Sequence, residues 1–476
     1  MAQSRTTAAR ETAPVLSIDL ETLKPRFRGE ILAPESSGYD DARSVWNGLI
    51  DKRPALIVRC AGASDVIEAV KLARERGLLV SVRGGGHNIA GNAVCDGGLM
   101  IDLSRMNSVR VDPAARRADV GPGATLGDLD RETQAFGLIT PTGINSTTGI
   151  AGLTLGGGFG WLSRKFGLTL DNLLSADVVT AEGKLVRASA SENKDLFWGI
   201  RGGGGNFGVV TNFEFRLHPH GPEVLAGLIV FSAEEARNVL EWLPGYVDKA
   251  PEDLTVWSVL RQAPPLPFLP EAMHGKHIIV LALCYSGSDL AKGEKLIETL
   301  RGFGTVKGEM VGRMPFVAWQ QAFDPLLGRG ARNYWKTHNF NELGDKTIAA
   351  ILEHARKAPA FDCEVFLGHL EGQVKKHAAG ATAYPHRDVK FVMNIHARWE
   401  RPEDDDRCIA WARSLFDATT PYSTGGAYIN FMTQDEGDRV PTAYGADAWK
   451  KLVALKDTWD PSNFFCMNQN IKPSKA

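Results

Sequence analysis

The chain has 476 residues, of which 43% are hydrophobic and 23% are charged, and its formal net charge is −2. A chain of this length is too long for one ordinary hydrophobic core, so we expect two or three domains. Since basic residues are not in surplus, we expect neither nucleic acid nor an anionic membrane surface as a partner.

Cysteine usage and the N-terminal stretch indicate a cytoplasmic protein. The six cysteines are scattered and form no C-x-x-C pair, so we expect neither structural zinc nor a disulfide framework, and we predict no metal site. Residues 1–14 are polar and are predicted to be a loose tail without a secretory signal. No run of about 18 apolar residues occurs, which predicts that no segment spans a membrane.

The first half of the chain alternates short strands with helices. Strands are predicted over 55–58, 78–82, 99–103, 109–111 and 118–120. A helix is predicted over 65–76, with Ser64 as its N-cap and Gly77 at its end, and another helix opens at Leu126. This mixture predicts an α+β fold rather than a repeating β-α-β series.

A glycine turn with a histidine follows the predicted strand 78–82. Gly84, Gly85 and Gly86 have no side chains to pack and admit positive φ, so backbone N–H groups can converge there on an anion. His87 comes next, where its imidazole can reach whatever the turn holds. From these residues alone, an ordinary tight turn with a surface histidine is an equally good interpretation.

Two more glycine-rich segments follow, at 142–160 and 201–208. Small residues recur along the first of them, so a bulky planar ligand can lie against its backbone. In the second, Gly203, Gly205 and Gly208 match G-x-G-x-x-G by letter. The strand predicted at 209–217 follows directly, whereas the dinucleotide fingerprint requires a helix there, so we reject that match. A P-loop is also excluded, because no G-x-x-x-x-G-K-[ST] occurs.

The region 222–430 differs from the first part of the chain in having fewer glycine clusters. Amphipathic helices are predicted over 233–243 and 290–301, and alternating segments over 278–285, 334–340, 363–369, 390–399 and 428–431. An antiparallel sheet backed by helices explains this pattern most economically. A last helix is predicted over 449–459.

Three motifs taken together resemble a known family. They are Arg83-Gly-Gly-Gly-His-Asn88, Gly152 with Gly156-Gly-Gly-Phe-Gly160, and Asp460-Pro-Ser-Asn-Phe-Phe followed by Asn468-Gln-Asn-Ile471. This combination resembles the FAD-linked oxidases of the vanillyl-alcohol oxidase superfamily, and more narrowly the berberine-bridge-enzyme-like group. Arg332-Asn-Tyr-Trp-Lys336 and Tyr428-Ile-Asn-Phe431 are similar to bacterial members, among them the 6-hydroxynicotine oxidases. The resemblance runs from about Arg53 to Pro473.

The resemblance implies an α+β fold with a two-part PCMH-type FAD-binding domain and a substrate domain whose antiparallel sheet is backed by helices. The implied division of the chain is a tail and lead-in at 1–52, the FAD-binding domain at 53–220, the substrate-binding domain at 221–430, and a berberine-bridge-like segment at 431–476 that returns to the FAD domain.

The resemblance also implies FAD as the cofactor, bonded covalently through His87. Asn145 stands where many relatives have a second, cysteinyl link, so His87 is expected to be the only attachment. Thr148 stands at the family's oxygen-gating position, where its valine-like shape is compatible with oxygen access. The residues assigned to cofactor binding are Arg83, Gly84, Gly85, Gly86, His87, Asn88, Gly91, Thr142, Gly143, Thr147, Thr148, Gly149, Gly152, Gly156, Gly157, Gly205, Asn206, Gly208, Val209, Asn468 and Asn470.

A flavin that takes a hydride at N5 needs a neighbouring group to accept the substrate's proton. On the predicted strand 390–399, Asn394 stands where plant relatives carry glutamine or glutamate, and alternation puts His396 on the same face. His396 is either the base or a hydrogen-bonded wall residue.

A second set of candidates comes from the strand 334–340, where Tyr334, Lys336 and His338 share a face that can reach the pocket or can simply pack. Phe431 stands where many relatives have a catalytic tyrosine, and Tyr428, three residues earlier, is expected to face the other way. The catalytic candidates are therefore His396, Asn394, Tyr334 and Lys336.

The activity expected from the resemblance is that of an oxidase. It would remove a hydride from a C–H beside oxygen or nitrogen of a small alcohol, sugar or amine, with reoxidation by molecular oxygen to hydrogen peroxide. The absence of the usual tyrosine base slightly favours amines that react in neutral form. The alternatives are a flavin dehydrogenase or reductase that uses another electron partner, and a flavin-binding protein without catalysis.

Overall fold

The computed structural model describes residues 20–475, so the tail predicted at 1–14 lies outside the described residues. The strands are β1 (Glu30–Leu32), β2 (Leu56–Arg59), β3 (Val80–Arg83), β4 (Leu99–Asp102), β5 (Val109–Asp112), β6 (Arg117–Val120), β7 (Leu138–Ile139), β8 (Leu173–Val179), β9 (Leu185–Ser189), β10 (Val209–Arg216), β11 (His218–Pro219), β12 (Glu223–Ser232), β13 (Leu254–Gln262), β14 (His277–Tyr285), β15 (Gly308–Pro315), β16 (Arg332–Phe340), β17 (Glu364–His369) and β18 (Phe391–Trp399).

Helices connect and cover these strands. They are α1 (Leu20–Leu23), α2 (Tyr39–Arg43), α3 (Ala63–Arg76), α4 (Leu126–Gln134), α5 (Ile150–Gly156), α6 (Ser163–Phe166), α7 (Lys194–Gly199), α8 (Ala236–Val247), α9 (Leu290–Arg301), α10 (Phe316–Gln320), α11 (Asp345–Ala355), α12 (Gln373–Lys376), α13 (Asp405–Thr419), α14 (Val440–Tyr444) and α15 (Ala446–Trp459). Within residues 20–475, no helix combines the length and the apolar content needed to cross a membrane.

Two sheets form the N-terminal part of the molecule. A four-stranded sheet has the order β1-β2-β4-β3, in which β2 and β3 run parallel to β4. A five-stranded antiparallel sheet has the order β5-β6-β10-β8-β9. Helix α3 packs between them, because its apolar stripe, which includes Val66 and Val70, joins a core with residues of both sheets.

A seven-stranded antiparallel sheet follows, in the order β15-β12-β14-β13-β17-β18-β16. Helices α8, α9, α11 and α13 cover one of its faces, where Leu240, Ile297, Ile351 and Leu415 share one core with the strands. The opposite face packs on aromatic residues of the N-terminal part, among them Trp161. Because strand residues alternate between faces, each strand sends every second side chain toward that junction.

The C-terminal segment returns to the first part of the chain. Helix α15 packs on α7, and its Leu452 and Leu455 lie in the core of the five-stranded sheet. Its fully buried Lys456 donates to Asp460 at 2.7 Å and to the carbonyl of Asn206 at 2.8 Å. A buried ammonium needs such partners, so this contact fixes the segment that follows the helix.

The predicted α+β architecture with an antiparallel sheet backed by helices is confirmed. The helix predicted over 290–301 has the observed bounds, whereas α3 begins one residue before Ser64 with Gly62 as its N-cap and no side-chain cap. The segment 428–431 is not a strand. It forms a 3₁₀ turn at Ile429–Phe431, because a four-residue alternating pattern also fits one turn of a tight helix.

Candidate active site

A cavity of about 350 Å³ lies between the N-terminal sheets and the face of the seven-stranded sheet that is opposite its helices. Backbone of the three glycine segments and the end of the chain form one side, which we call the glycine wall. Side chains of β13, β16, β17 and β18 form the other side, which we call the sheet wall: Trp257, Trp335, Glu364, Phe366, Asn394 and His396.

The first two glycine segments touch backbone to backbone. A Cβ added to Gly85 would lie 2.4 Å from the amide nitrogen of Gly149, and one added to Gly149 would lie 2.3 Å from that of Gly85. Gly86 has φ +72°, a conformation that glycine adopts without strain. Glycine is therefore required at this crossing, which brings the turn after β3 against the start of α5.

His87 follows this turn and lines the cavity. Its Nε2 lies 3.0 Å from Thr147 Oγ1, and its Nδ1 lies 3.4 Å from Thr148 Oγ1. The ring stacks on Trp46 with centroids 5.1 Å apart. Burial, with a smaller contribution from Arg329, lowers the pKa of His87 to about 3, so the imidazole is neutral at physiological pH and one ring nitrogen has a free lone pair.

The third glycine segment is tied to the C-terminal end. Asn206 donates to the carbonyls of Gly203 at 2.8 Å and Gln469 at 3.1 Å, and accepts from the amide of Ile471 at 2.9 Å. Its side chain is thus fully used in holding two parts of the cavity wall together. Beside it, a Cβ added to Gly205 would meet nothing within 4 Å, so the cavity approaches bare backbone there.

These features fit a flavin nucleotide. Small residues present backbone on one side of the cavity, and a Cβ at Gly152 would also meet no atom within 4 Å. Asn468 lines the cavity, and its buried Oδ1 has no hydrogen-bond partner among residues 20–475; the same is true of the Asn470 Oδ1, two residues later. Buried amide oxygens normally have partners, so a bound ring or ribose with hydrogen-bond donors would complete the wall.

Most of the residues assigned to the cofactor meet in this cavity. Lining it are Gly84, Gly85, Gly86, His87, Asn88, Gly143, Thr148, Gly149, Gly152, Gly205, Asn206, Gly208, Val209 and Asn468. Two further assigned residues do not line the cavity but support residues of its wall. The Thr147 hydroxyl contacts His87 Nε2, and the Thr142 hydroxyl accepts a hydrogen bond from the Gln320 amide at 2.8 Å. Their contribution is to hold the wall rather than to line it.

Other assigned residues lie outside the cavity lining. Arg83 donates to the carbonyl of Ala42, away from the cavity, and the position of Gly91 is packed against Ile50. The Cα positions of Gly156 and Gly157 face the Asn430 amide and the Tyr428 ring, and Asn470 does not line the cavity.

The sheet wall is set by strand register. His396 on β18 is paired with Trp335 on β16 and with Glu364 on β17, and Asn394 is paired with Phe366. Since directly paired residues project from the same face of a sheet, a histidine, a carboxylate and an amide lie on one face together with Trp335 and Phe366. The Asn394 Oδ1 on this face is buried and has no hydrogen-bond partner in the described part of the chain.

Hydrogen bonding assigns the proton of His396. Asn333 Nδ2 donates to the carbonyl of Ala331 at 2.7 Å, which identifies the other amide atom as oxygen. That oxygen lies 3.0 Å from His396 Nε2, so Nε2 is the N–H donor. His396 Nδ1 then points its lone pair at Glu364 Oε1, 3.2 Å away.

Charges around this pair are partly balanced. Arg261 donates to Glu364 Oε2 at 2.9 Å. Burial alone would raise the pKa of Glu364, but its positive neighbours, Arg261 first and then Arg398, outweigh burial and keep the pKa below its ordinary value. Burial lowers the pKa of His396, and Glu364 offsets part of that effect. A proton placed between His396 Nδ1 and Glu364 Oε1 would therefore be bound by the neutral imidazole and the carboxylate together.

The stripe of Tyr334, Lys336 and His338 does not reach the cavity, and the expectation that it does is corrected here. Tyr334 donates to Asp435 at 2.6 Å, Lys336 donates to the same carboxylate at 3.2 Å, and His338 stacks on Phe416 of α13. Residues of β16 alternate between faces, and it is Trp335 that faces the cavity.

The expectation that Tyr428 faces away from Phe431 is also corrected. Both side chains line the cavity, with ring centroids 4.8 Å apart, because positions three apart lie together on a 3₁₀ turn. The Tyr428 hydroxyl accepts from Gly158 N at 2.9 Å and Asn430 Nδ2 at 3.0 Å. Burial raises the pKa of Tyr428 to about 12, so this phenol is not a base at neutral pH.

Sequence reasoning missed Trp46 and Glu364. Trp46 lies in the stretch treated as a lead-in, and nothing in its sequence surroundings distinguishes it from a core aromatic. Glu364 lies on a predicted strand, and a carboxylate that alternates with Phe366 was a usable signal. Its meeting with His396 depends on strand register, which the sequence does not fix.

Comparisons with known proteins agree with this geometry. Residues 54–189 match the family described as FAD binding domain, and residues 427–472 match the one described as berberine and berberine like. An FAD-linked oxidoreductase of Dictyostelium discoideum is 33% identical over 432 residues, which are 90% of this chain and 91% of that protein. The (R)-6-hydroxynicotine oxidase of Paenarthrobacter nicotinovorans is 32% identical over 459 residues, covering 94% of this chain and 97% of its own.

The fold is also found among solved structures. The crystal structure of 6-hydroxy-D-nicotine oxidase from Arthrobacter nicotinovorans matches with a TM-score of 0.85 and 30% identity, over 94% of this chain and 98% of that one.

Proposed function

The chain belongs to the FAD-linked oxidoreductases with a berberine-like C-terminal segment, and we propose that it is an oxidase with FAD bonded covalently to His87. Its substrate is a small alcohol, sugar or amine with a C–H beside oxygen or nitrogen, and dioxygen is its electron acceptor, giving hydrogen peroxide. The (R)-6-hydroxynicotine oxidase among its relatives supports an amine within this set.

One observation carries the proposal: a neutral imidazole lines a cavity whose opposite wall holds a proton acceptor. His87 is fixed on the glycine wall by a stacked Trp46 and two threonine hydroxyls. Asn145, in the same wall, has no thiol to form a second link, so the attachment is single. Bound FAD supplies a ring that accepts a hydride.

The chain's own contribution to the chemistry is proton acceptance and orientation. The pair formed by His396 and Glu364 takes the substrate's O–H or N–H proton between Nδ1 and Oε1, which lie 3.2 Å apart. Asn394, with its unpaired Oδ1, orients the substrate by accepting a hydrogen bond. Trp257, Trp335 and Phe366 exclude water from this region and bind the apolar body of the substrate.

The test is anaerobic reduction of the bound flavin by a panel of primary alcohols, sugars, hydroxylated aromatics and cyclic amines, followed by mixing with oxygen. We expect at least one class to bleach the flavin and oxygen to restore the colour with one peroxide per turnover. Fast bleaching with slow reoxidation would instead identify a dehydrogenase. No bleaching by any class would contradict an enzyme of this kind.

We also propose a cytoplasmic location. All six cysteines are free in the structure and five of them are buried, which suits a reducing compartment. Fractionation of the source cells with an antibody against the chain tests this, and recovery outside the cytoplasmic fraction would contradict it.

A further inference from the structure

We propose that Asn145 is a positioning residue that determines which ring nitrogen of His87 carries the proton, so that the flavin is attached at Nδ1. This inference rests on the covalent attachment proposed above. It gives a role to the residue that replaces the family's second tether.

The amide of Asn145 can be oriented from chemistry alone. The backbone N–H of Thr147 donates to one of its atoms at 3.0 Å, and because an NH₂ group cannot accept, that atom is Oδ1. The Thr147 hydroxyl lies 2.7 Å from the same oxygen. Of these two oxygens only the hydroxyl has a hydrogen, so Thr147 donates to Asn145.

This donation leaves the Thr147 hydroxyl with lone pairs only. Its Oγ1 lies 3.0 Å from His87 Nε2, and it has no second hydrogen to offer, so Nε2 must donate. The neutral ring carries one hydrogen, and Nδ1 is therefore left with its lone pair. Among residues 20–475, the hydrogen-bonding group found at Nδ1 is the Thr148 hydroxyl at 3.4 Å, a distance that leaves the lone pair available for bonding.

The surroundings keep this arrangement in place. Asn145 is buried, with 8% of the residue exposed, and Trp46 stacks on the His87 ring at an angle of 20° between the planes. Burial lowers the pKa of His87 to about 3, so at moderate pH the ring is neutral and only one of its two nitrogens carries a hydrogen.

The attachment balances with dioxygen as the oxidant. A bond forms between Nδ1 and the 8α-methyl carbon, while one methyl C–H bond and the Nε2–H bond break. The two electrons and two protons released pass to dioxygen, which becomes hydrogen peroxide. In the ligand-free arrangement, the departing Nε2 proton is the one that Thr147 accepts.

The test determines the linkage nitrogen and the rate of attachment. Full-length protein made without flavin is mixed with FAD in air, acid-stable flavin is followed with time, and the flavin peptide is analysed by NMR. We expect a pure Nδ1 link in the wild type. In Asn145→Ala and Thr147→Val, we expect attachment slower by roughly fivefold to tenfold, the population change that one net hydrogen bond supports, together with a fraction of Nε2 link. Thr147→Ser keeps the hydroxyl and should behave as the wild type does.

An Nε2 link in the wild type, or unchanged rate and linkage in Asn145→Ala, would overturn the inference. A second measurement separates it from the covalent proposal. Long-range ¹H–¹⁵N spectra of histidine-labelled full-length protein without flavin, assigned with His87→Gln, report the protonated nitrogen directly. A wild type that releases all its flavin in acid but shows protonated Nε2, lost in Asn145→Ala, would refute the covalent bond and support the role of Asn145. Protonated Nδ1 would refute that role.

Discussion

Two histidines line one cavity from opposite walls, and their surroundings differ. His87 on the glycine wall is held by a stacked indole and two neutral hydroxyls. His396 on the sheet wall lies between an amide and a carboxylate that is itself paired with Arg261. The same side chain thus meets a nearly uncharged environment on one wall and an ionic network on the other.

This difference suits the two histidines to different chemical roles. A neutral ring with one exposed lone pair is suited to forming a bond, and it needs no charge nearby. A ring whose free nitrogen faces a carboxylate is suited to sharing a proton, because the two groups bind it together. Position in the sequence would not reveal this division, since both residues simply follow or occupy a buried strand.

The largest effect is expected for His87→Ala, which tests the bonding role of the glycine wall. We expect acid-stable flavin to disappear completely, because the substitution removes the imidazole that forms the proposed bond. The measurement is flavin colour in the acid-precipitated pellet. The control is His354→Ala, because His354 lies on α11 and does not line the cavity; this variant should retain full colour. Retained acid-stable flavin in His87→Ala would place the attachment elsewhere.

Glu364→Gln tests the proton-sharing role of the sheet wall. The amide keeps the shape but cannot bind the proton, so we expect the rate of anaerobic flavin reduction to fall by about 100-fold. In the wild type, activity is present above the apparent pKa of the pair and is lost as pH falls through it, because the pair is then already protonated. We expect this acidic limb to disappear in Glu364→Gln.

His396→Ala should produce the same loss of the acidic limb, with retained acid-stable flavin. If both variants kept the wild-type pH profile, the sheet wall would have only a shaping role, and the contrast between the two histidines would not hold.

Sequence patterns predicted most of the glycine wall, because its function depends on local features. A strand followed by three glycines and a histidine is contiguous, and so the position of His87 in the cavity could be anticipated. The crossing of Gly85 with Gly149 could not, since it joins segments about sixty residues apart. Glycine content indicates that a close approach is possible, but not what approaches.

The sheet wall was predicted less well, for a physical reason. Alternation correctly put Asn394 and His396 on one face, but which face of β16 joins them depends on register and on where α13 packs. The prediction placed Tyr334 and Lys336 in the pocket and was wrong, because Trp335 on the other face of β16 lines the cavity. Glu364 was missed for the same reason, because its partner lies on a neighbouring strand.

Lys336→Met tests that assignment of faces. Its ammonium lies 3.2 Å from Asp435 and 3.6 Å from Glu436, with 7% of the side chain exposed. After its removal, each carboxylate keeps an arginine partner, Arg413 for Asp435 and Arg439 for Glu436. We therefore expect the free energy of unfolding to fall by about 2 kcal/mol, which is less than for a fully unpaired buried charge. Thermal denaturation measures this, and kcat should stay within about twofold of wild type.

Trp335→Phe is the matched variant from the other face of β16. We expect it to change KM while leaving the denaturation midpoint close to that of the wild type. A kinetic defect in Lys336→Met with a normal midpoint would reverse the assignment of the two faces.

The smallest effect is expected for Asp130→Asn, which tests whether the glycine wall favours neutral groups throughout. Asp130 is buried behind the second glycine segment, where Gln320 donates to its Oδ2 at 2.9 Å and its Oδ1 has no partner. Burial raises the pKa of Asp130 to about 7.

A carboxyl group whose pKa is raised on folding contributes its full stability at acidic pH, and that stability is lost as pH rises through the folded pKa. The asparagine cannot ionise, so the variant should match the wild type in stability near pH 4 and be more stable than the wild type at pH 8. Denaturant titrations at the two pH values measure this difference. An equal difference at both pH values would mean that folding does not raise the pKa of Asp130 and that the glycine wall tolerates a buried charge.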